Sequence, residues 1–103
     1  MYIYTLLKQN GTTEVLDTAK TKWKYEQLRD TVGGYIEIIP NSYYPKGMTG
    51  TVYGHEEARF NSDNHTNSHL KTITDIFGDK WDTVGDLLLE QTEKQNAIYT
   101  ASR

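Results

Sequence analysis

The chain contains no cysteine among its 103 residues. Disulfide bonds and thiolate metal sites are therefore excluded, and a reducing, intracellular compartment is compatible with the composition. Long apolar runs are also missing, because no segment approaches the ~18 consecutive apolar residues of a membrane-spanning helix. Residues 1–8 lack the basic start and long apolar centre of a signal peptide. These absences predict a cytoplasmic protein with no membrane partner.

An excess of positive charge is missing as well. The formal net charge is −3, and residues 51–103 carry five Lys or Arg against nine Asp or Glu. Binding to nucleic acid without sequence preference needs a basic face. The basic cluster Lys20, Lys22 and Lys24 is better explained as the solvated start of a helix. We therefore expect no nucleic-acid partner, and a DNA-binding regulator would need a basic helix.

Tyrosine is abundant, whereas phenylalanine is scarce: the chain has eight of the first and two of the second. A tyrosine can bury its ring and keep its hydroxyl in water. The abundance is typical of a small protein with a thin core, or of a face that stacks on or binds another protein. With 36% hydrophobic and 24% charged residues, the composition is that of one globular domain.

Residues 32–40, Val-Gly-Gly-Tyr-Ile-Glu-Ile-Ile-Pro, predict a helix end, a turn and a strand. Residues 22–32 form the preceding helix, with an apolar stripe at helical spacing. Gly33 follows as the residue that takes the left-handed conformation at a helix end. In the strand, Glu37 lies on the face opposite Ile36 and Ile38. A Glu at that position favours a sheet that is covered on one face only.

The other segments complete an α+β pattern. Asn10-Gly11 predicts a hairpin turn between strands at 2–7 and 12–16. Apolar residues at helical spacing predict a second helix over 68–77, and Leu87-Leu88-Leu89 predicts a last central strand. The predicted fold is one α+β domain over residues 1–91, with a mostly antiparallel sheet of four to five strands and two helices packed on one face. Residues 92–103 form a polar tail or a short helix.

Four blocks of the sequence carry a resemblance to a family. Residues 28–37 end a helix in Val-Gly-Gly-Tyr-Ile-Glu, and three further blocks follow in order at 52–58, 64–70 and 84–89. This arrangement resembles DUF3846, a family of small domains of unknown function in phages, plasmids and bacteria, over roughly residues 1–91. His55, Ala58 and Asn67 stand where the family has Asn, Gly and Ala. The resemblance implies the family's fold and a phage or mobile-element setting in the host cytoplasm. It implies no activity, cofactor or catalytic residue.

Two groups of side chains could carry chemistry. His65 and His69 are spaced i, i+4, and His55 lies within fifteen residues of them. Such a pair can share a metal on a helix, although a polar loop explains the cluster more simply. Glu37 opposite Glu56 or Glu57 could form a like-charge pair suited to acid–base work. A surface strand also commonly carries Glu.

The sequence favours a non-enzymatic module that binds a host or phage protein, without a cofactor. The predicted contacts are Tyr43, Tyr44 and Tyr53, because tyrosines supply large, rigid, amphipathic contact area. A homodimer would bury further surface of so small a chain. The alternative is a binder of a small molecule or metal, or a minor hydrolase, centred on the cluster His55, Glu56, Glu57, His65 and His69.

Overall fold

A computed structural model describes residues 1–102 of the chain. The predicted α+β class is confirmed, with a five-stranded antiparallel sheet, a separate two-stranded hairpin and two α-helices in the described residues. The strands are β1 (Tyr2–Leu7), β2 (Thr13–Ala19), β3 (Ile36–Ile39), β4 (Thr51–His55), β5 (Ile73–Thr74), β6 (Lys80–Trp81) and β7 (Leu87–Thr92). The helices are α1 (Tyr25–Val32) and α2 (Glu93–Ser102).

Strand β7, the last in the chain, lies at the centre of the sheet, whose order is β2-β1-β7-β4-β3. It pairs with β1 over its whole length and with β4 over residues 88–90. Leu87, Leu88 and Leu89 are all buried. Because successive side chains of a strand point to opposite faces, these leucines need cover on both sides of the sheet.

Helix α1 covers one face of the sheet. Its Leu28 packs with Tyr4, Tyr53 and Leu88. Just before the helix, the Trp23 ring stacks on the Tyr4 ring with 4.0 Å between their centroids. We call this side the α1 face.

Helix α2 covers the opposite face, which we call the α2 face. Its Tyr99 belongs to a cluster with Leu87 and Leu89. Residues of the loops complete the cover, namely Tyr44, Met48 and Leu70. The prediction that both helices pack on one face is therefore wrong. It depended on Glu37, but that residue lies on the exposed edge strand β3, whereas the leucines of β7 decide how the sheet is covered.

The prediction of a helix over residues 68–77 is also wrong. Leu70 lies in a loop with its side chain buried, and the hairpin β5–β6 follows. The backbone N–H of Lys71 donates to the Tyr43 carbonyl (2.7 Å), which ties this segment to the loop that carries Tyr43. The apolar residues at helical spacing thus serve different purposes, and only some of them reach the core.

The other local predictions agree better with the structure. Strands β1 and β2 form the predicted hairpin around Asn10-Gly11, and Gly33 ends α1 with φ of 95°. Of the two alternatives for the C-terminal segment, residues 93–102 take the helical one; residue 103 lies outside the described residues. Ile38 is exposed, although it shares a strand face with the partly buried Ile36. Within residues 1–102, no helix is long and apolar enough to cross a bilayer.

Asn67 fastens the long loop between β4 and β5 to the sheet. Its side chain is fully buried, and Nδ2 donates to the carbonyls of Leu7 and Gly85, each at 2.8 Å. Its Oδ1 accepts from the His69 backbone N–H at 3.0 Å. Its own backbone N–H donates to the Thr83 carbonyl at 2.8 Å. One side chain therefore satisfies three backbone groups from three parts of the chain.

We expect Asn67→Ala to lower the free energy of unfolding by about 2–4 kcal/mol, because it leaves buried backbone groups without partners. Urea unfolding followed by circular dichroism measures the loss. Ser68→Ala is the matched control, since Ser68 is the exposed next residue, and we expect it to change the free energy by less than about 0.5 kcal/mol. Equal losses in the two variants would contradict the role of the Asn67 side chain.

Candidate functional site

The three tyrosines predicted to contact a partner are not a common exposed face. Tyr44 and Tyr53 are buried, with 8% and 9% of their surface exposed, and Tyr43 is half-buried. The exposure predicted for Tyr44 and Tyr53 is therefore wrong. Tyr44 packs on the α2 face and Tyr53 on the α1 face, so the sheet itself separates the two rings.

Tyr44 holds the loop 40–50 against the sheet. Its hydroxyl donates to the Ile39 carbonyl (3.0 Å) and accepts from the Val52 backbone N–H (2.8 Å). It thus links the end of β3 to β4. Burial raises the pKa of the Tyr44 hydroxyl. Both observations indicate a structural role.

Tyr53 belongs to a buried polar network around Glu90. The Tyr4 hydroxyl donates to Glu90 Oε2 at 2.7 Å, and the Tyr53 hydroxyl donates to Oε1 at 3.2 Å. The backbone N–H of Trp23 donates to the Tyr4 hydroxyl at 2.7 Å. Burial, reinforced by the nearby Glu90, raises the pKa of Tyr53 to about 12 and also raises the pKa of Tyr4. The two phenols take up both carboxylate oxygens of Glu90, which is a means of burying a carboxylate.

The three histidines make separate contacts. His55 accepts from the Glu57 backbone N–H at Nδ1 (2.9 Å), and its ring covers Gly34, where an added Cβ would lie 2.4 Å from Nε2. His69 Nε2 lies 3.0 Å from the Thr12 carbonyl oxygen. His65 is exposed, and its backbone N–H donates to the Gln9 side chain.

The residues predicted as metal ligands do not come together. In the part of the chain that the structure describes, no group of three or more His, Asp or Glu side chains could hold a metal ion. The helix that would place His65 and His69 on one face is absent, because residues 64–72 form an irregular loop and a short bridge. The structure therefore does not form a centre from His55, His65 and His69.

A cavity of about 340 Å³ lies against the edge strand β3 and its neighbour β4. We call it the Gly54 cavity, after the glycine in its lining. An added Cβ at Gly54 would lie 3.0 Å from Leu87 Cδ2 and 3.4 Å from Ile39 Cδ1. Glu37 and Glu56 line it as well, so the structure brings together two of the glutamates that the sequence singled out. In the sheet register, however, the residue opposite Glu37 is Gly54.

Two of the three most exposed large apolar side chains in the described residues lie at the turn of the β5–β6 hairpin; the third is Phe60. Ile76 is 93% exposed and Phe77 is 82% exposed. We call this pair the hairpin tip. Isolated exposed apolar residues are common on proteins, but two adjacent ones at the end of an ordered turn are a candidate contact surface.

Asp75 orders the hairpin tip. Its Oδ1 accepts from the backbone N–H groups of Phe77 (2.9 Å) and Asp79 (3.0 Å), and its Oδ2 accepts from Trp81 Nε1 (2.9 Å). The Gly78 N–H donates to the Asp75 carbonyl at 3.1 Å, which closes the turn. These hydrogen bonds, that from Trp81 first, lower the pKa of the Asp75 carboxyl. Ile76 and Phe77 are therefore held in one backbone conformation.

Sequence reasoning missed the hairpin tip, although a signal for it exists. Asp at the first position and Gly at the fourth position of Asp75-Ile76-Phe77-Gly78 are typical of a type I turn. An Asp that bonds the backbone two residues on is the side-chain counterpart of such a turn. The apparent helical spacing of the apolar residues around it outweighed this signal.

Comparison with known proteins identifies no relative: no family model, no curated protein and no solved structure matches this chain.

The network around Glu90 predicts alkaline unfolding. The pKa of Tyr53 is about 12 in the folded protein and returns to 10.0 on unfolding. Its contribution to stability is therefore complete below pH 10.0 and is lost as the pH rises toward about 12. The slope is about 1.4 kcal/mol per pH unit for each such tyrosine. Tyr4 acts in the same direction.

Urea unfolding over this pH range measures the slope. We expect Tyr53→Phe to flatten it, because the variant has one buried phenol fewer. Tyr25→Phe is the control, since Tyr25 is exposed on α1. An unchanged slope in Tyr53→Phe would show that this phenol does not hold its proton in the folded state.

Proposed function

We propose that this chain is a small non-enzymatic module that binds another protein through its hairpin tip. The observation that carries the proposal is the exposure of Ile76 and Phe77 at 93% and 82% on a turn that Asp75 holds in place. The hairpin tip replaces the surface that the sequence favoured, which consisted of Tyr43, Tyr44 and Tyr53. The reason is that the rings of Tyr44 and Tyr53 lie inside the protein.

Two features make the hairpin tip suited to binding. Burial of an Ile or Phe side chain contributes about 1.5–3 kcal/mol each, so the pair can anchor a contact in an apolar pocket of the partner. The hydrogen bonds of Asp75 already fix the backbone between them. Binding therefore requires little further ordering of this segment, which favours affinity.

The charge of the hairpin favours a protein partner over a membrane surface. Residues 73–81 contain Asp75, Asp79 and Lys80, which gives a formal charge of −1. Anionic lipid headgroups attract segments rich in Lys and Arg, and this hairpin lacks that character. We infer a partner with an apolar pocket and a neutral or basic rim.

The biological setting is part of the same proposal. The resemblance of residues 1–91 to DUF3846 supports a phage or mobile-element protein, whose partner would be a host or phage protein in the host cytoplasm. The absence of a family match leaves this assignment a prediction. A second copy of the chain is the alternative partner for the hairpin tip, and the experiment below distinguishes this copy from a different protein.

The test compares Ile76→Ser/Phe77→Ser with the wild type in affinity capture from native host cells, followed by calorimetry with the purified partner. We expect the double variant to lose that partner and to weaken its Kd by about a hundredfold or more. Its thermal stability is expected to stay unchanged, because both side chains are exposed. Val15→Ser is the matched control, as Val15 is an exposed apolar residue on the far edge strand β2.

Three outcomes would contradict the proposal. The double variant and the wild type could recover the same proteins with the same Kd. Val15→Ser could weaken binding as much as the double variant. Light scattering could show that the wild type is a dimer and the double variant a monomer, which would assign the hairpin tip to a second copy.

Removal of the Asp75 carboxylate tests whether order at the tip matters. In Asp75→Ala, we expect the amides of Phe77 and Asp79 to lose protection from hydrogen exchange, while the urea midpoint of the whole domain stays constant. Affinity for the partner should fall although Ile76 and Phe77 remain. Asp79→Ala is the control, because Asp79 joins the turn through its backbone. Retained protection in Asp75→Ala would contradict the role of its carboxylate.

A further inference from the structure

We propose that the free edge of β3 binds an extended segment of another protein, which adds a strand to the sheet. The segment carries a Lys or Arg between two apolar residues. This site is separate from the hairpin tip, and the proposal does not depend on it. Three properties of β3 carry the proposal: unpaired backbone groups, an exposed isoleucine next to an exposed glutamate, and obstacles to pairing with a second copy of the chain.

The backbone groups of Ile36 and Ile38 point away from the sheet. Strand β3 ends the strand order and pairs with β4 alone. The Tyr35 carbonyl accepts from the backbone N–H opposite it (2.9 Å), and the Ile39 carbonyl accepts from the Tyr44 hydroxyl that also holds β4. Because the groups along an antiparallel strand alternate in direction, those of Ile36 and Ile38 face outward. No bond to them from outside the β3–β4 pair is present in residues 1–102.

The side chains of β3 define what an added strand would meet. Ile38 is 65% exposed on the α1 face, and Glu37 is exposed on the α2 face. Glu37 takes part in no ion pair within the described residues 1–102. Directly opposite residues of paired strands have Cβ atoms about 4.5–5.5 Å apart. An apolar residue of the added strand would therefore cover Ile38, and a Lys or Arg next to it would pair with Glu37.

A second copy of the chain does not fit this edge. Three antiparallel registers bring outward-facing residues of two β3 strands opposite each other. Ile36 opposite Ile38 places the two Glu37 side chains directly across from each other, and like charges there are destabilising. Ile38 opposite Ile38 places Ile36 opposite Pro40, which has no N–H. Ile36 opposite Ile36 requires the Gly34 N–H, which already donates to a carbonyl of α1 (3.2 Å). The edge therefore favours a different sequence as its partner.

The direct test is an NMR titration of the ¹⁵N-labelled full chain with the peptide acetyl-Thr-Val-Lys-Val-Thr-amide. Its valines would pair with Ile36 and Ile38, and its lysine would lie opposite Glu37. We expect saturable shifts in β3 and slower hydrogen exchange of the Ile36 and Ile38 amides. Unchanged exchange of these two amides would overturn the proposal. Protection that rises with the concentration of the chain alone would assign the edge to a second copy and would overturn it as well.

Two control peptides separate backbone pairing from other contacts. N-methylation of both valines keeps their side chains but removes the donors to the Ile36 and Ile38 carbonyls, and we expect it to abolish binding. Replacement of the lysine by glutamate should weaken the Kd by about fivefold or more, because like charges then lie opposite each other. Equal binding of the N-methylated peptide would overturn strand addition. Equal binding of the glutamate peptide would overturn the charge assigned to the segment.

Glu37→Lys tests the same charge pair from the side of the chain. We expect the variant to reverse the preference, so that the glutamate peptide binds more tightly than the lysine peptide. Glu26→Lys is the matched control, because Glu26 is exposed on α1 and its replacement changes the net charge equally. An unchanged preference in Glu37→Lys, or a reversed one in Glu26→Lys, would contradict the position of the segment.

Ile38→Pro tests the outward N–H of β3. Proline is tolerated in an edge strand where the N–H faces solvent, so the pairing with β4 should persist. We expect the variant to lose the peptide while its amides toward β4 keep their protection from hydrogen exchange. Peptide binding as tight as that of the wild type would contradict pairing at Ile38.

Discussion

The structure depends on the pairing of β7 with β1 on one side and β4 on the other. Strand β7 is the last strand in the sequence, yet it fills the centre of the sheet, so the halves β2-β1 and β4-β3 meet only through it. Its three leucines fill the cores of both faces, and its Glu90 takes the hydroxyls of Tyr4 and Tyr53. The position of each helix follows from this strand, because α1 covers Leu88 and α2 covers Leu87 and Leu89.

The same arrangement explains which side chains are free to act. Loops 40–50 and 61–72 carry many polar residues, but they also cover the α2 face. Tyr44 and Asn67 hold these loops in place through hydrogen bonds and are therefore not free to bind a partner. The turn of the β5–β6 hairpin does not cover the core, and Ile76 and Phe77 are exposed to solvent. Next to β3, Gly54 leaves space beside Leu87 that a longer side chain would fill. The hairpin tip thus lies away from the core, and the Gly54 cavity lies where the core is incompletely covered.

Local patterns predicted the elements whose partners lie close in sequence. Asn10-Gly11 and Gly33 identified a turn and a helix end, and Leu87-Leu88-Leu89 identified a central strand, because each signal is local. The burial of Tyr53 was not predictable in this way, since its partner Glu90 lies 37 residues further along the chain. The hairpin was misassigned because Leu70, Ile73, Ile76 and Phe77 match a helical period by coincidence. The Gly54 cavity combines β3, β4 and the segment before β7, so only the folded topology brings Glu37, Glu56 and Thr83 together.

Native-state hydrogen exchange tests the central position of β7 most directly. The amides of Leu87 to Gln91 should exchange only through global unfolding, with free energies equal to the value from urea unfolding. Amides on the outer edges of β2 and β3 should exchange through smaller, local openings. Exchange of the β7 amides that is as fast as exchange in these edge strands would contradict the account, because it would mean that the sheet persists without its central strand.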